Sequence, residues 1–266
     1  MIGRAVGTGF ARARDAVARL LLALGVGPNG LSVTGAVFTA AAAGCYAVDS
    51  SGRFAWALRP GAAGSAWLLL AGGLLVLSFA CDMLDGAVAR LGGRKTDFGA
   101  FLDSTLDRFS DFAVYAGMAV HFILREPANL TFALLAMLSF FNAFMISYTK
   151  ARAEDLIDSC GVGFWQRGER SAAILIATFS HNIPALLIQQ ASLPLLTVWR
   201  RVSYTRDAIR ARRGRPAPRA PEWLDGIRIW RHPRMTWGYD AVVAVNIAWL
   251  IFAPIRPTDV LRGLLP

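Results

Sequence analysis

The sequence is poor in charge and in cysteine, and both shortages are informative. Charged residues make up 17% of the 266 residues, and there are three cysteines. Cys45, Cys81 and Cys160 lie far apart, so they have neither the spacing of a metal site nor the even number of a disulfide framework. The cysteines are predicted to be small packing residues, and they do not identify the redox compartment.

Acidic residues are also scarce relative to basic ones. The chain has 28 Lys and Arg against 18 Asp and Glu, a net charge of +10, while 55% of its residues are hydrophobic and the mean hydropathy is +0.43. That composition is too apolar for an ordinary soluble domain. Nucleic-acid binding would explain the positive charge, but basic loops beside anionic lipid head groups explain it better. The composition predicts an integral membrane protein without a nucleic-acid partner.

Although acids are scarce, four aspartates lie close together in the chain. Asp82 and Asp85 follow a charge-free run at 61–81, and Asp103 and Asp107 precede another at 112–124. Each pair has helical spacing, so each pair shares one helix face. Carboxylates at the edge of an apolar helix are functional candidates, and hard oxygen ligands suit Mg²⁺, Mn²⁺ or Ca²⁺. The pattern predicts a divalent-cation site near a membrane surface.

Small residues and one arginine accompany these aspartates. Gly86, Ala89 and Gly99 have small side chains or none, so a bulky ligand can lie against the helix backbone. Arg90 offers a planar guanidinium that can donate two hydrogen bonds to phosphate oxygens. The run resembles the signature of the CDP-alcohol phosphotransferases (CDP-alcohol phosphatidyltransferases), D-x2-D-G-x2-A-R-x8-G-x3-D-x3-D, at every fixed position. Simple ion pairing of acids with nearby Arg94, Lys95 and Arg108 is a poor explanation for eight matched positions with helical spacing.

The resemblance implies a reaction and a set of site residues. An alcohol attacks the β-phosphorus of a CDP-linked lipid, and CMP leaves. Asp82, Asp85, Asp103 and Asp107 are implied as ligands of two Mg²⁺ or Mn²⁺ ions, and Asp107 also as the general base. Ser32 takes the place of the usual threonine in the family's P-N/D-x-x-T segment. The candidate CDP-lipid-binding residues are Asn29, Ser32, Gly86, Ala89, Arg90, Thr96 and Gly99.

A second resemblance concerns the acceptor. Residues 150–154 resemble the K-x-R-A-E segment of the phosphatidylinositol phosphate synthase branch. That branch usually has Glu-Arg-x-x-Arg at 166–170, where this chain has Gln166 but keeps Arg167 and Arg170. The candidate acceptor-phosphate residues are Lys150, Arg152, Arg170 and Arg201. A plainer explanation is that these cations follow the positive-inside rule.

The resemblance implies transfer of a phosphatidyl group from CDP-diacylglycerol to a phosphorylated polyol, with inositol 1-phosphate favoured. Glycerol 3-phosphate, the acceptor of a phosphatidylglycerophosphate synthase, also carries a phosphate, so the cations do not separate the two. A divalent-cation transporter is the alternative from another class, because intramembrane acids also mark ion paths. Arg90 argues against a transporter, because a guanidinium that binds phosphate does not serve a path for cations.

The apolar runs predict an all-α integral membrane protein with six transmembrane helices. The interrupted run at 171–199 is divided at residues 180–184, because only two spans leave the arginine-rich segment after it on the cytoplasmic side. Hydrophobic residues in the first 24 residues recur with helical spacing and predict an amphipathic interfacial helix. The predicted spans are 31–48, 64–91, 98–124, 127–149 and the two halves of 171–199.

Two segments are predicted along the chain. Residues 1–205 form the membrane domain, and residues 206–266 form an Arg-rich cytoplasmic segment with a short apolar helix of unknown role. The charge-free run at 241–255 has 15 residues, which suits a re-entrant or surface-lying helix better than a seventh span. The protein is expected in the plasma membrane, in contact with membrane lipids and with its active site on the cytoplasmic side. The family resemblance also implies a homodimer.

Overall fold

The computed structural model describes residues 2–51, 64–125, 127–214 and 236–264, and these ranges contain helices and no strand. The all-α prediction is therefore confirmed for this part of the chain. The helices are α1 Ile2–Ala23, α2 Pro28–Val48, α3 Ala66–Leu91, α4 Asp97–Leu124, α5 Leu130–Glu154, α6 Arg167–Phe179, α7 Ile183–Ser192, α8 Pro194–Arg212, α9 Trp237–Phe252 and α10 Val260–Leu264.

Local capping residues explain where several helices begin. The hydroxyl of Ser65 accepts a hydrogen bond from Leu68 N at the start of α3, and Thr96 accepts one from Gly99 N at the start of α4. Pro28 occupies the first turn of α2, where a missing backbone N–H does no harm. Pro28 and Thr96 mark helix starts at the end of the bundle that carries the aspartates, whereas Ser65 caps α3 at the opposite end.

Helices α2 to α6 alternate in direction, so the chain has two distinct ends. At one end the Ser32 hydroxyl meets Asp85, and Arg167 meets Asp82. At the other end His121 Nδ1 lies 3.2 Å from Val48 O, and His181 Nε2 lies 3.3 Å from Ser65 O. The predicted site residues on α2, α3, α4 and α6 therefore lie toward the first of these two ends.

The predicted division of the run 171–199 is confirmed. Helix α6 ends at Phe179, and α7 begins at Ile183 after a turn in which His181 adopts a positive φ of 54°. Between α7 and α8 the backbone stays helical at Leu193, so α8 follows α7 without a reversal of the chain. The chain thus turns back once in this region.

Three described helices, α2, α3 and α5, are long and apolar enough to cross a membrane. Helix α4 has 28 residues but carries aspartates through its first half, and α6 and α7 have 13 and 10 residues. Helix α1 packs on α3 through Ala18. The count of six spans and the interfacial position of α1 stay predictions.

Helix α9, on the predicted apolar segment, lies along α6. Tyr239 near its start contacts Glu169 near the start of α6, and Leu250 near its end contacts Ser180 just after α6. The two helices therefore run in the same direction over a similar length. The re-entrant or surface position of α9 and the division of the chain at residue 205 stay predictions.

Candidate metal centre and binding cleft

Helices α3 and α4 bring three of the predicted aspartates together. One carboxylate oxygen from each of Asp82, Asp85 and Asp103 lies within 4.8 Å of the others. Asp85 is buried, with 8% of its surface exposed, while the other two are partly exposed. Three carboxylates this close repel one another, and a hard divalent cation is the partner that removes the repulsion. The oxygen-only donor set fits Mg²⁺ or Mn²⁺.

The fourth predicted ligand, Asp107, lies one turn further along α4. Its carboxylate forms an ion pair with Arg167, and its other oxygen lies 3.7 Å from Arg108 Nη2. The structure therefore places Asp107 beside the cluster of three rather than within it. Its role as a ligand stays a prediction.

Arg167 contacts the predicted aspartates, although it was not among the predicted site residues. Its guanidinium donates to Asp82 Oδ1 at 2.9 Å and also pairs with Asp107. From the first turn of α6 it thus contacts one aspartate of α3 and one aspartate of α4. The retained arginine of the family's Glu-Arg-x-x-Arg segment was the available signal, but its separation of 85 residues from Asp82 hid the contact.

The ion pairs continue from the partly exposed Arg167 to a buried arginine, Arg170. Arg108 contacts Asp107 and lies 3.9 Å from Asp111, and Asp111 in turn lies 3.3 Å from Arg170. Charges of opposite sign therefore alternate from the metal-site aspartates to Arg170, which is 3% exposed. A narrow cavity between α2, α3, α4 and α6 is lined by Asp82, Asp103, Asp107, Asp111 and Arg167. The network links the acid cluster to the first turn of α6.

Ser32 connects the acid cluster to α2. Its hydroxyl donates to Asp85 Oδ2 at 2.5 Å, so the serine in the family's threonine position supports a predicted metal ligand. A hydrogen-bonded partner of this kind orients a ligating carboxylate. The contact joins elements 53 residues apart in the chain.

The predicted CDP-lipid-binding residues line one cleft of about 400 Å³. A Cβ atom at Gly99 would lie 3.0 Å from Thr96 Oγ1 and 3.3 Å from Asn29 Oδ1, so a larger residue there would crowd the cleft. Asp85 and Asp103 also line it, which places the cleft directly beside the acid cluster. The lining includes Asn29, Ser32, Gly86, Ala89, Arg90, Thr96 and Gly99.

The four predicted acceptor-phosphate residues differ in burial. Arg170 and Arg201 are buried, and Arg201 donates to the carbonyl oxygens of Val162 and Ile146. Lys150 and Arg152 are exposed and pair with acids one turn along the same segment, Glu154 and Asp155. These short-range ion pairs keep the two cations of α5 at the surface. The structure thus divides the four cations into two buried and two exposed residues, and their role toward an acceptor phosphate stays a prediction.

Comparisons with known proteins agree with this geometry. A family model described as CDP-alcohol phosphatidyltransferase matches residues 28–205. Archaetidylinositol phosphate synthase of Pyrococcus horikoshii is 31% identical over 190 residues, which cover 71% of this chain and 88% of that protein. Phosphatidylinositol phosphate synthase of Mycobacterium tuberculosis is 34% identical over 178 residues, with coverage of 66% and 73%.

Two crystal structures of the Mycobacterium tuberculosis phosphatidylinositol phosphate synthase resemble this fold. The structure with CDP-DAG bound has a TM-score of 0.60 and 27% identity, and it covers 73% of this chain and 94% of that chain. The complex with manganese and citrate has a TM-score of 0.58 and 27% identity, with coverage of 72% and 88%. Both likenesses extend over most of the described helices.

Proposed function

Because the chain belongs to the CDP-alcohol phosphatidyltransferase family, we propose that it transfers the phosphatidyl group of CDP-diacylglycerol to inositol 1-phosphate and releases CMP. The relatives named above are phosphatidylinositol and archaetidylinositol phosphate synthases, which supports this acceptor. One observation carries the proposal for the donor. The cleft that holds the predicted CDP-lipid residues shares Asp85 and Asp103 with the acid cluster.

The acid cluster is the proposed metal centre. Asp82, Asp85 and Asp103 hold Mg²⁺ or Mn²⁺, and Asp107 completes a site for two ions. When bound, the cations neutralise the donor's diphosphate and stabilise the leaving phosphate. The manganese in a solved relative supports the choice of metal.

Arg90 and the small residues of α3 and α4 seat the CDP group. A Cβ atom at Gly86 would lie 3.3 Å from Arg90 Nη1, so glycine leaves room for the guanidinium beside the helix backbone. Arg90 can then offer two N–H groups to phosphate oxygens in a planar fork. Thr96, which caps α4, and Asn29 border the same cleft near Gly99.

Asp107 is the proposed general base. It accepts the proton of the acceptor hydroxyl, which then attacks the β-phosphorus and displaces CMP. Its position between the acid cluster and the ion pairs leading to Arg170 supports this role. Arg170 and Arg201 hold the acceptor phosphate, and Lys150 and Arg152 attract it at the surface.

The proposed placement has six membrane spans, with α1 in the interface and the acid cluster at the cytoplasmic side of the plasma membrane. The end of the molecule that carries the aspartates also carries Arg94, Lys95, Lys150 and Arg152, which supports the orientation. The long helices expose many large apolar side chains, such as Leu69 of α3. In this arrangement the diacylglycerol chains stay in the bilayer while the phosphates react at its surface. The protein is proposed to act as a homodimer, as the family resemblance implies.

The test is CMP release by the purified protein with CDP-diacylglycerol and Mg²⁺. Inositol 1-phosphate, glycerol 3-phosphate, inositol and serine are offered in separate reactions. CMP release that depends on inositol 1-phosphate is expected. CMP release that depends on glycerol 3-phosphate would support the proposed reaction type but would identify glycerol 3-phosphate as the acceptor. A protein that does not bind CDP-diacylglycerol would contradict the proposal.

The transporter alternative makes a different prediction for Arg90. Arg90→Glu reverses the charge of the phosphate fork but leaves the acid cluster unchanged. Transfer should be abolished, whereas metal binding by the purified protein should persist. Metal uptake into proteoliposomes by both the native protein and Arg90→Glu would instead favour a transporter.

A further inference from the structure

Helix α9 lies outside the segment that matches the family model, yet it contacts the helix that carries two site arginines. The hydroxyl of Tyr239 donates to Glu169 Oε1 at 2.8 Å, and its ring lies 5.4 Å from the ring of Phe164. Glu169 lies between Arg167 and Arg170 in the first turn of α6. A residue of the C-terminal segment is therefore bonded to the turn that positions both arginines.

The first turn of α6 begins without a side-chain cap. The residue at its N-cap, Gln166, makes no side-chain cap hydrogen bond. Its amide instead donates to the carbonyl oxygens of Gly161 and Gly163 in the preceding segment. Gln166 also replaces the glutamate that the related branch usually has here. A capping side chain normally stabilises a helix start, so this turn depends more on contacts from outside the helix.

Helix α9 is firmly held along the bundle and can supply that contact. Trp249 Nε1 donates to Ala185 O at 3.0 Å, and Gln189 donates to Asn246 at 2.8 Å. Leu250 is 1% exposed and belongs to the main apolar core. Tyr239 therefore extends from a fixed helix rather than from a loose tail.

We propose that Tyr239 is a positioning residue for the acceptor side of the site. Its hydrogen bond to Glu169 fixes the first turn of α6 and thereby sets the positions of Arg167 and Arg170, of which Arg170 meets the acceptor phosphate. This inference rests on the proposed transfer to a phosphorylated alcohol. It gives the C-terminal helix a role in the reaction although the helix itself contributes no residue to the described cleft.

The geometry predicts which kinetic constant changes. The donor cleft is lined by residues of α2, α3, α4 and the α3–α4 connection, with none from α6. A displaced α6 should therefore weaken binding of the acceptor more than binding of the donor, which α6 reaches only through the pairing of Arg167 with Asp82 and Asp107. Loss of the Tyr239 hydroxyl is expected to raise KM for inositol 1-phosphate about three- to tenfold, with KM for CDP-diacylglycerol changed less than about twofold.

The experiment compares Tyr239→Phe with Trp249→Phe in the full-length protein. Each variant removes one hydrogen bond between α9 and the bundle, but only Tyr239 reaches the arginine-bearing turn. Tyr239→Phe should raise the acceptor KM, and Trp249→Phe should leave it unchanged. Equal effects of the two variants on the acceptor KM, or no effect of Tyr239→Phe, would show that α9 only stabilises the fold and would overturn the proposal.

Two further measurements separate this inference from the proposed function. Glu169→Ala combined with Tyr239→Phe should be no worse than Glu169→Ala alone, because the tyrosine acts through the glutamate. Binding of inorganic phosphate, measured by calorimetry, should weaken with Tyr239→Phe by the same factor as the acceptor KM. If the native protein transfers nothing, the proposed function fails, and phosphate binding still decides this inference. Phosphate binding that is equal in the native protein and Tyr239→Phe would overturn it.

Discussion

Removing the Ser32 hydroxyl should weaken the affinity of the acid cluster for a divalent cation. Ser32 donates to Asp85 Oδ2 at 2.5 Å, and Asp85 is the most buried of the three clustered aspartates. A hydrogen bond to a charged group contributes about 1.5–3 kcal/mol, and about 1.4 kcal/mol corresponds to a factor of ten. Ser32→Ala should therefore raise the half-saturating metal concentration about ten- to hundredfold, which is also the usual range for residues that support metal ligands.

The assay is a Mn²⁺ titration of the purified protein followed by electron paramagnetic resonance, together with the Mn²⁺ dependence of CMP release. Thr34→Ala is the matched control, because Thr34 lies on the same helix and its hydroxyl donates only to the exposed carbonyl oxygen of Gly30 in the described contacts. Ser32→Thr should retain the native affinity because it keeps the hydroxyl. If Ser32→Ala and Thr34→Ala bind Mn²⁺ as tightly as the native protein, Asp85 does not depend on Ser32 as argued.

Three other changes have defined expectations. Asp107→Asn should keep CDP-diacylglycerol binding and lose turnover, and retained CMP release would exclude Asp107 as the base. Arg167→Gln removes the cation that pairs with Asp82 and Asp107, so Mn²⁺ should bind at a lower concentration, and unchanged titration would contradict that competition. Gly117→Ala places a Cβ atom against a backbone carbonyl of α2 and should destabilise the protein by about 1–3 kcal/mol in thermal unfolding. Its control, Gly44→Ala, adds a methyl group where no atom lies within 4 Å and should not lower the melting temperature.

The parts of the site that depend on local spacing were predictable from the sequence. Asp82 and Asp85 share a helix face because of their separation in the chain, and a helix start before Gly99 follows from the cap at Thr96. The same spacing places Asp107 on the stripe of Asp103, but it does not show that Arg167 pairs with Asp107. A shared helix face therefore predicts proximity to a site, and the role of Asp107 as a metal ligand stays a prediction.

Contacts between distant elements could not be predicted in this way. Arg167 reaches Asp82 across 85 residues, and Tyr239 reaches Glu169 across 70 residues, so only the packing of α6 determines either contact. The surface position of Arg152 could have been predicted from the sequence, because Asp155 lies three residues away and can form an ion pair with it at the surface. Attention to short-range ion pairs would have separated the exposed cations from the buried ones.

The central claim is that the acid cluster and the adjoining cleft join CDP-diacylglycerol to a phosphorylated alcohol. The most direct measurement is the mass spectrum of the lipid formed from CDP-diacylglycerol and inositol 1-phosphate with Mg²⁺. The account predicts a lipid that contains the phosphatidyl group and the intact inositol phosphate, with one CMP released for each lipid formed. A protein that binds both metal and CDP-diacylglycerol but yields no such lipid would contradict the account.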